Sequence, residues 1–330
     1  MTHMIVERES RTLGLLENDS FVRQSLAPRD SAPPEFARRA LTPGIPDRRD
    51  FHRPHHSEAA RLRQAIERRE LSLHYQPQYA IHDGHNCGVE ALARWFFPNG
   101  DSIPPASFIP RAEKHGLIAA LGAWALHEAC STLAAWHRLG EAVPVLCVNV
   151  SPRQISSEFC TVLAMTLAQT GFPAELLELE ITEGILIEQP LLALDCLTQW
   201  KRLGVRIALD DFGTGYSSLS YLSRLPVDRL KIDKSLIQRM TGDEKTAAIV
   251  RAIISLGADL GFPVLAEGVE SEEQLTMLRG MGCQQAQGFL FAMPSRADEA
   301  RALLAANWGN RSIPSIFSAA HGATASAHVC

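Results

Sequence analysis

The sequence predicts an α/β chain closed into a (β/α)8 barrel of the TIM-like kind. Eight short β-rich runs alternate with helical stretches, and acidic or amide residues recur where those runs end. A patterned region of roughly 250 residues, the usual size of such a barrel, sits between two ends that lack the pattern.

In chain order the strands are expected at Leu71–Gln78, Gly88–Trp95, Val143–Val150, Leu176–Thr182, Arg206–Phe212, Arg229–Asp233, Pro263–Val269 and Gln285–Phe291. Helical spacing is clearest in Ala247–Gly261, where Ile249, Ile253, Leu256 and Leu260 fall on one stripe. Similar amphipathic patterns cover Ala123–Leu139, Pro190–Leu203 and Glu272–Met281. The longest apolar stretch, Gly116–Leu126, lies between Lys114-His115 and His127-Glu128. It is too short for the roughly 20 residues a bilayer needs and reads as a buried helix, so no membrane insertion is expected.

Residues 1–56 carry Pro28, Pro33, Pro34, Pro43, Pro46 and Pro54 with arginine pairs such as Arg38-Arg39, and are expected to form a flexible leader. The barrel is expected over residues 57–308, and the Ser- and Ala-rich stretch 309–330 as a loose tail. His52, His55 and His56 read as part of a solvated leader before they read as metal ligands.

The 330 residues include 32 Lys and Arg against 37 Asp and Glu, a formal charge of -5, which provides no global field for gripping a nucleic-acid polymer or an anionic membrane. The opening residues lack a basic region followed by an apolar core, so a cytoplasmic protein is expected. Seven cysteines without a C-x-x-C pair read as reduced packing residues.

The polar residues at the strand ends are Glu90 and Arg94, Asn149, Glu180 and Glu183, Asp210 and Asp211, Lys231 and Asp233, and Glu267 and Glu270. In a barrel these ends share one mouth. One such residue would be an ordinary cap; six consecutive strands doing it is not explained by capping. Carboxylates converging with an amide, and almost no histidine or cysteine, describe a hard-cation site suited to Mg²⁺ or Mn²⁺ rather than zinc. Adjacent Asp210 and Asp211 would point to opposite faces of a regular strand, so the chain must turn there for both to reach the mouth.

Other chemistries are set aside. Gly215-Tyr216-Ser217-Ser218-Leu219 lacks the closing glycine of a nucleophile elbow, and there is no phosphate loop or H-E-x-x-H zinc helix. Gly213 and Gly215 mark a mobile turn suited to a lid beside the Asp pair.

Glu90-Ala91-Leu92 followed by Arg94 resembles the signature of the EAL-domain cyclic di-GMP phosphodiesterases. Tyr75-Gln76-Pro77, Asn149-Val150-Ser151, Glu180-Ile181-Thr182-Glu183, Asp210-Asp211-Phe212-Gly213-Thr214-Gly215-Tyr216-Ser217-Ser218-Leu219, Leu230-Lys231-Ile232-Asp233, Ala266-Glu267-Gly268-Val269-Glu270 and Gln287-Gly288-Phe289-Leu290-Phe291 follow in the family's order. The resemblance covers roughly Glu58 to Asn307.

It implies a barrel whose first strand runs antiparallel to the rest. It implies two divalent cations, Mg²⁺ or Mn²⁺: one held by Glu90, Asn149, Glu180 and Asp210, the second by Asp210 with Asp211 and Glu267, directly or through water. Lys231 would orient or deprotonate the attacking water, with Glu267 beside it, and Glu183 would anchor the glycine-rich loop carrying Asp211. Gln76, Glu90, Leu92, Arg94 and Gln287 match the family's substrate-facing positions. The implied reaction is hydrolysis of cyclic di-GMP to linear pGpG in bacterial second-messenger signalling. Departures are few: Gly184 replaces a common Ser, Phe97 a common His or Tyr, and Phe289 a common Tyr.

The alternative is a non-catalytic cyclic di-GMP receptor or interaction module on the same fold. Such relatives usually lack a metal or lysine position, whereas here all are present. The leader is shorter than an ordinary sensory domain. A homodimer and a regulatory protein partner acting through the ends of the chain are further expectations of the resemblance.

Overall fold

The computed structural model describes residues 58–68, 70–97, 101–184, 190–214, 222 and 225–307. The leader 1–56, its histidines, the tail 309–330, Pro98-Asn99-Gly100 and the run Gly215–Leu219 lie outside the described residues.

Eight strands close the barrel: β1 (Leu71–Ala80), β2 (Asn86–Phe96), β4 (Val145–Asn149), β5 (Leu177–Thr182), β6 (Arg206–Phe212), β7 (Arg229–Ile232), β8 (Val264–Ala266) and β9 (Gln285–Ala286). From β2 through β9 successive barrel strands pair in parallel. β1 closes the ring by pairing antiparallel with both β2 and β9, as the resemblance implies. Two short strands were not expected: β3 (Ser102–Ile103) pairs antiparallel with the end of β2, and β10 (Ser295–Arg296) pairs antiparallel with β1.

The period of two in each strand divides its side chains between helices and lumen. Leu177, Leu179 and Ile181 of β5, Ile207 and Leu209 of β6, and Leu230 and Ile232 of β7 join the main core with the helices. The alternate positions, Glu178 and Glu180, Ala208 and Asp210, and Arg229 and Lys231, therefore face inward.

The two apolar stretches Gly116–Leu126 and Ala123–Leu139 are one helix, α3 (Ile118–Arg138). Sequence periodicity also missed α1 (Glu58–Glu67), α2 (Pro105–Lys114), α4 (Ser157–Thr170) and the helix Ala297–Asn307. Cap chemistry marks several of these. Ser156 accepts from the Phe159 N–H at the start of α4, and Gly171 closes it in the left-handed region at φ 67°. Ser271 and Gln274 form a capping box on the helix Glu272–Gly280.

Two expected strands are shorter than their apolar runs because their ends hydrogen-bond outside the ladder. The Gln287 N–H donates to Ala266 O, and the Val269 and Leu290 N–H groups donate to Gln287 O and Val269 O. Those bonds tie the two segments to each other beyond the regular ladder, and β8 ends at Ala266 and β9 at Ala286.

A second apolar cluster caps the rim. Leu62 and Ala65 of α1 pack with Leu71, Trp95, Phe108, Ala112, Leu117, Ile118 and Leu121. The Arg61 guanidinium lies 5.5 Å from the Trp95 ring centroid and 2.6 Å from Glu70 Oε2. Among the described residues no helix is long and apolar enough to cross a membrane. The six described cysteines are unpaired, as expected.

Candidate active site

Lys231 is the centre of the lumen and is fully buried. Its Nζ lies 2.6 Å from Glu267 Oε1, 2.8 Å from Glu180 Oε2, 3.2 Å from Asp210 Oδ2 and 4.0 Å from Glu90 Oε1. Four carboxylates thus face one ammonium. Burial alone would pull the Lys231 pKa down; Asp210, Glu180, Glu267 and Glu90 outweigh it and hold the pKa well above its ordinary value.

The carboxylates respond unequally. Burial lifts Glu180 well above its usual range, against the pull of Lys231. Burial likewise raises Glu267 to about 8, with Lys231 opposing and Asp210 and Glu90 adding to the rise. Burial also presses Glu90 upward, but Lys231 and hydrogen bonds from Gln287 and Asn149 leave it lowered. Asn149 Nδ2 donates to Glu90 Oε1 at 2.7 Å, and Gln287 Nε2 donates to Glu90 Oε2 at 2.6 Å.

Asp211 reaches this region by a backbone device. It sits at φ 56°, in the left-handed region uncommon outside glycine, and the β6 to β7 register shifts between Leu209 and Phe212. The strand continues to Phe212, so the expected turn lies inside it as an irregularity. Asp211 rises to about 6 through burial and then through the neighbouring Asp210 and Asp233, with Glu183 adding to the rise. Gly213 follows at φ 94°, where a β-carbon would lie 2.8 Å from both Ile253 Cδ1 and Leu236 Cδ1. That glycine is a packing requirement beside the Asp pair; its partner Gly215 is outside the described residues.

At the rim, Gln76 and Gln287 are buried, and Gln287 Nε2 also donates to Gln76 Oε1 at 3.0 Å. Leu92 and Arg94 share the face of β2 that carries Glu90, and both are partly exposed. Burial lowers the Arg94 pKa and Glu90 pulls it back, which places the guanidinium within reach of the carboxylate's field. The structure therefore gathers Glu90, Asn149, Glu180, Asp210, Lys231, Glu267, Gln76 and Gln287. Glu183 is buried and faces Asp211 electrostatically, while the loop it is expected to anchor passes outside the described residues.

Sequence reasoning missed a second polar tier directly beneath. Arg229 Nη2 pairs with Glu178 Oε1 and donates to Cys147 Sγ at 2.9 Å. Its Nη1 donates to Gln78 Oε1 and Gln285 Oε1, each at 3.0 Å. The signal was legible in period two: Leu177-Glu178-Leu179-Glu180 and Arg229-Leu230-Lys231-Ile232 each place two polar residues on one face.

Cys147, Glu178 and Glu180 bring ligand atoms within 4.8 Å of one another. Arg229 already neutralises Glu178 there, and burial raises the Cys147 thiol well above its usual pKa. A protonated thiol beside a guanidinium disfavours a cation. The upper tier is different: Glu180 Oε1 is buried with no hydrogen-bond partner among the described residues, Glu90, Asp210 and Glu267 share its Lys231 neighbour, and Asn149 stands opposite it in the strand register. That donor set fits a hard divalent cation.

A family model described as EAL domain matches residues 59–294. The chain is 44% identical over 246 residues to the bifunctional diguanylate cyclase/cyclic di-GMP phosphodiesterase MucR of Pseudomonas aeruginosa, covering 74% of this chain and 36% of that protein. It is 40% identical over 237 residues to the cyclic di-GMP phosphodiesterase PdeR of Escherichia coli, covering 72% of this chain and 36% of that protein. The chain thus spans about a third of the length of these curated relatives. Among solved structures, the PaMucR phosphodiesterase in complex with c-di-GMP superposes with a TM-score of 0.71 at 42% identity, covering 74% of this chain and 99% of that one.

Proposed function

The chain belongs to the EAL domain family, and from that membership we propose that it is a metal-dependent phosphodiesterase hydrolysing cyclic di-GMP to linear pGpG. The observation that carries this reading is Lys231, wholly buried and facing Glu90, Glu180, Asp210 and Glu267 at the strand ends. Glu180 and Glu267, which burial holds toward the protonated form, would join Glu90 and Asp210 as carboxylates only with further positive charge beside them, which suits bound cations.

In this reading Glu90, Asn149, Glu180 and Asp210 hold one Mg²⁺ or Mn²⁺, and Asp210, Asp211 and Glu267 hold a second. When bound, two such cations supply an acidified water and neutralise charge on the phosphodiester. Lys231, kept cationic by its neighbours, donates to the attacking water and orients it. Arg94 binds the anionic dinucleotide at the rim, with Leu92 and Gln76 beside it. Glu183 steadies the turn carrying Asp211. Gln287 lines the mouth, although its amide donates to Glu90 and Gln76, so its part is support of the ligand set.

Residues 57–308 form the catalytic unit of this reading, with 1–56 and 309–330 as appended segments. A homodimer in the cytoplasm, controlled by a protein partner, is the accompanying proposal. Incubation with cyclic di-GMP and Mg²⁺ or Mn²⁺, followed by chromatography for pGpG, tests the reading. A folded, metal-loaded protein that binds the dinucleotide without releasing pGpG would favour the receptor alternative.

A further inference from the structure

We propose that Gln78, in the tier below the ligands, is a positioning residue that sets the orientation of Glu90 through a hydrogen-bond chain whose direction is fixed at both ends. The inference rests on the reading of Glu90 as a metal ligand and concerns how this chain holds it.

An amide side chain has a donor end and an acceptor end, and its partners decide which way it points. Arg229 has donors only. Its Nη1 approaches Gln78 at 3.0 Å, so Gln78 must present Oε1 downward and Nε2 upward. Gln78 Nε2 then donates to Gln287 Oε1 at 2.8 Å, which leaves Gln287 Nε2 facing Glu90 Oε2 at 2.6 Å.

The other end gives the same answer independently. The backbone carbonyl of Ala292 can only accept, and Gln76 Nε2 donates to it at 2.9 Å. Gln76 must therefore offer Oε1, which accepts from Gln287 Nε2 at 3.0 Å. A guanidinium below and a carbonyl above impose one sense on Gln287.

With Gln287 donating to one of its oxygens and Asn149 to the other, Glu90 is held as an acceptor on both sides of its carboxyl group. Asn149, having given Nδ2 to Glu90, keeps Oδ1 for a cation. The fold leaves room for the chain: Gly88 stands opposite Gln78 in the β1 to β2 register, and a β-carbon there would lie 2.3 Å from Gln78 Oε1. Gln78 itself is fully buried.

The discriminating substitution is Gln78→Glu, whose carboxyl would face the Arg229 guanidinium, measured at pH 8 and above. Added negative charge beneath the site would by itself tighten cation binding. The relay demands the reverse: a carboxylate accepts from Arg229 but has no N–H for Gln287. The carboxylate below then competes with Gln76 and Glu90 for the one N–H end of Gln287, and Glu90 loses its fixed donor. Calorimetric Mn²⁺ affinity of the metal-free 330-residue chain is the readout, with melting temperature reporting the fold.

The expected result is Mn²⁺ binding weaker by ~10-fold or more in Gln78→Glu, and by less in Gln78→Met, which removes the partner without reversing it. Equal or tighter Mn²⁺ binding by Gln78→Glu overturns the proposal. If that variant does not fold, Gln78→Met and Gly88→Ala decide, and wild-type affinity in both overturns it. Wild-type protein that binds no Mn²⁺ would remove the proposed function and this inference together; equal affinity in wild type and variants removes this inference alone.

Discussion

Arg229 and Lys231, two positions apart on β7, meet carboxylates that are two positions apart on β5: Arg229 pairs with Glu178 and Lys231 with Glu180. The strand between them is β6, where Ala208 registers with Glu180 on one side and Arg229 on the other. A small residue at that point lets two long basic side chains reach across. The result is one tier in which charge is closed by a guanidinium, and above it one in which a lone ammonium is outnumbered.

Glu90→Ala or Asp210→Ala should lower turnover by ~10²-fold or more by removing a ligand and unbalancing the site. Each should also weaken Mn²⁺ binding by calorimetry. Near wild-type hydrolysis in either folded variant would contradict the ligand set.

Lys231→Ala and Arg94→Ala should separate chemistry from binding. The first should lower kcat severely while changing cyclic di-GMP affinity in the presence of metal much less, because the missing contact acts mainly in the transition state. The second should weaken binding most, through a lost charge-assisted contact. Single-turnover rates beside calorimetric affinities read both, and unchanged single-turnover chemistry in Lys231→Ala would remove the lysine from the mechanism.

Mg²⁺ and Mn²⁺ should raise the melting temperature of metal-free protein and support hydrolysis. Saturation at 100 times Kd corresponds to about 2.7 kcal/mol of stabilisation. Ca²⁺ should also raise the melting temperature but inhibit, because its longer bonds and larger coordination number misplace the water. Robust pGpG release with Ca²⁺ as the sole divalent cation is the adverse result.

Arg229→Met should cost about 3–5 kcal/mol in chemical denaturation by leaving Glu178 buried and unpaired. The double substitution Arg229→Met with Glu178→Met should cost less than the single one, since the uncompensated charge is gone. A double variant less stable than the single would show that the pair contributes more than the desolvation it offsets.

The sequence made the upper tier legible because those residues stand at strand ends, where polar side chains interrupt apolar runs. β6 was bounded correctly at Arg206–Phe212, with apolar Ile207 and Leu209 alternating against inward Ala208 and Asp210. The lower tier follows the same alternation, so its inward face was legible while its partners were not. Glu178 and Arg229 lie at or near the beginnings of their strands, where a charged residue reads as a boundary rather than a partner. Their meeting depends on barrel closure, which brings β5, β7 and antiparallel β1 around one axis. The left-handed backbone at Asp211 was not legible either, since no glycine announces it and tertiary packing holds it there.

Antiparallel β1 also decides where the barrel is tethered. Leu71, the first residue of β1, registers with Trp95 near the end of β2, so the chain enters the barrel at the rim where Arg94 stands. Had β1 run parallel to its neighbours, entry would fall at the opposite end, about 30 Å away for a ten-residue strand. Helix α1 therefore meets Trp95 through Arg61, five residues along the strand from Glu90. A pull or twist delivered at α1 would reach the strand that carries Glu90 with no need to cross the barrel first.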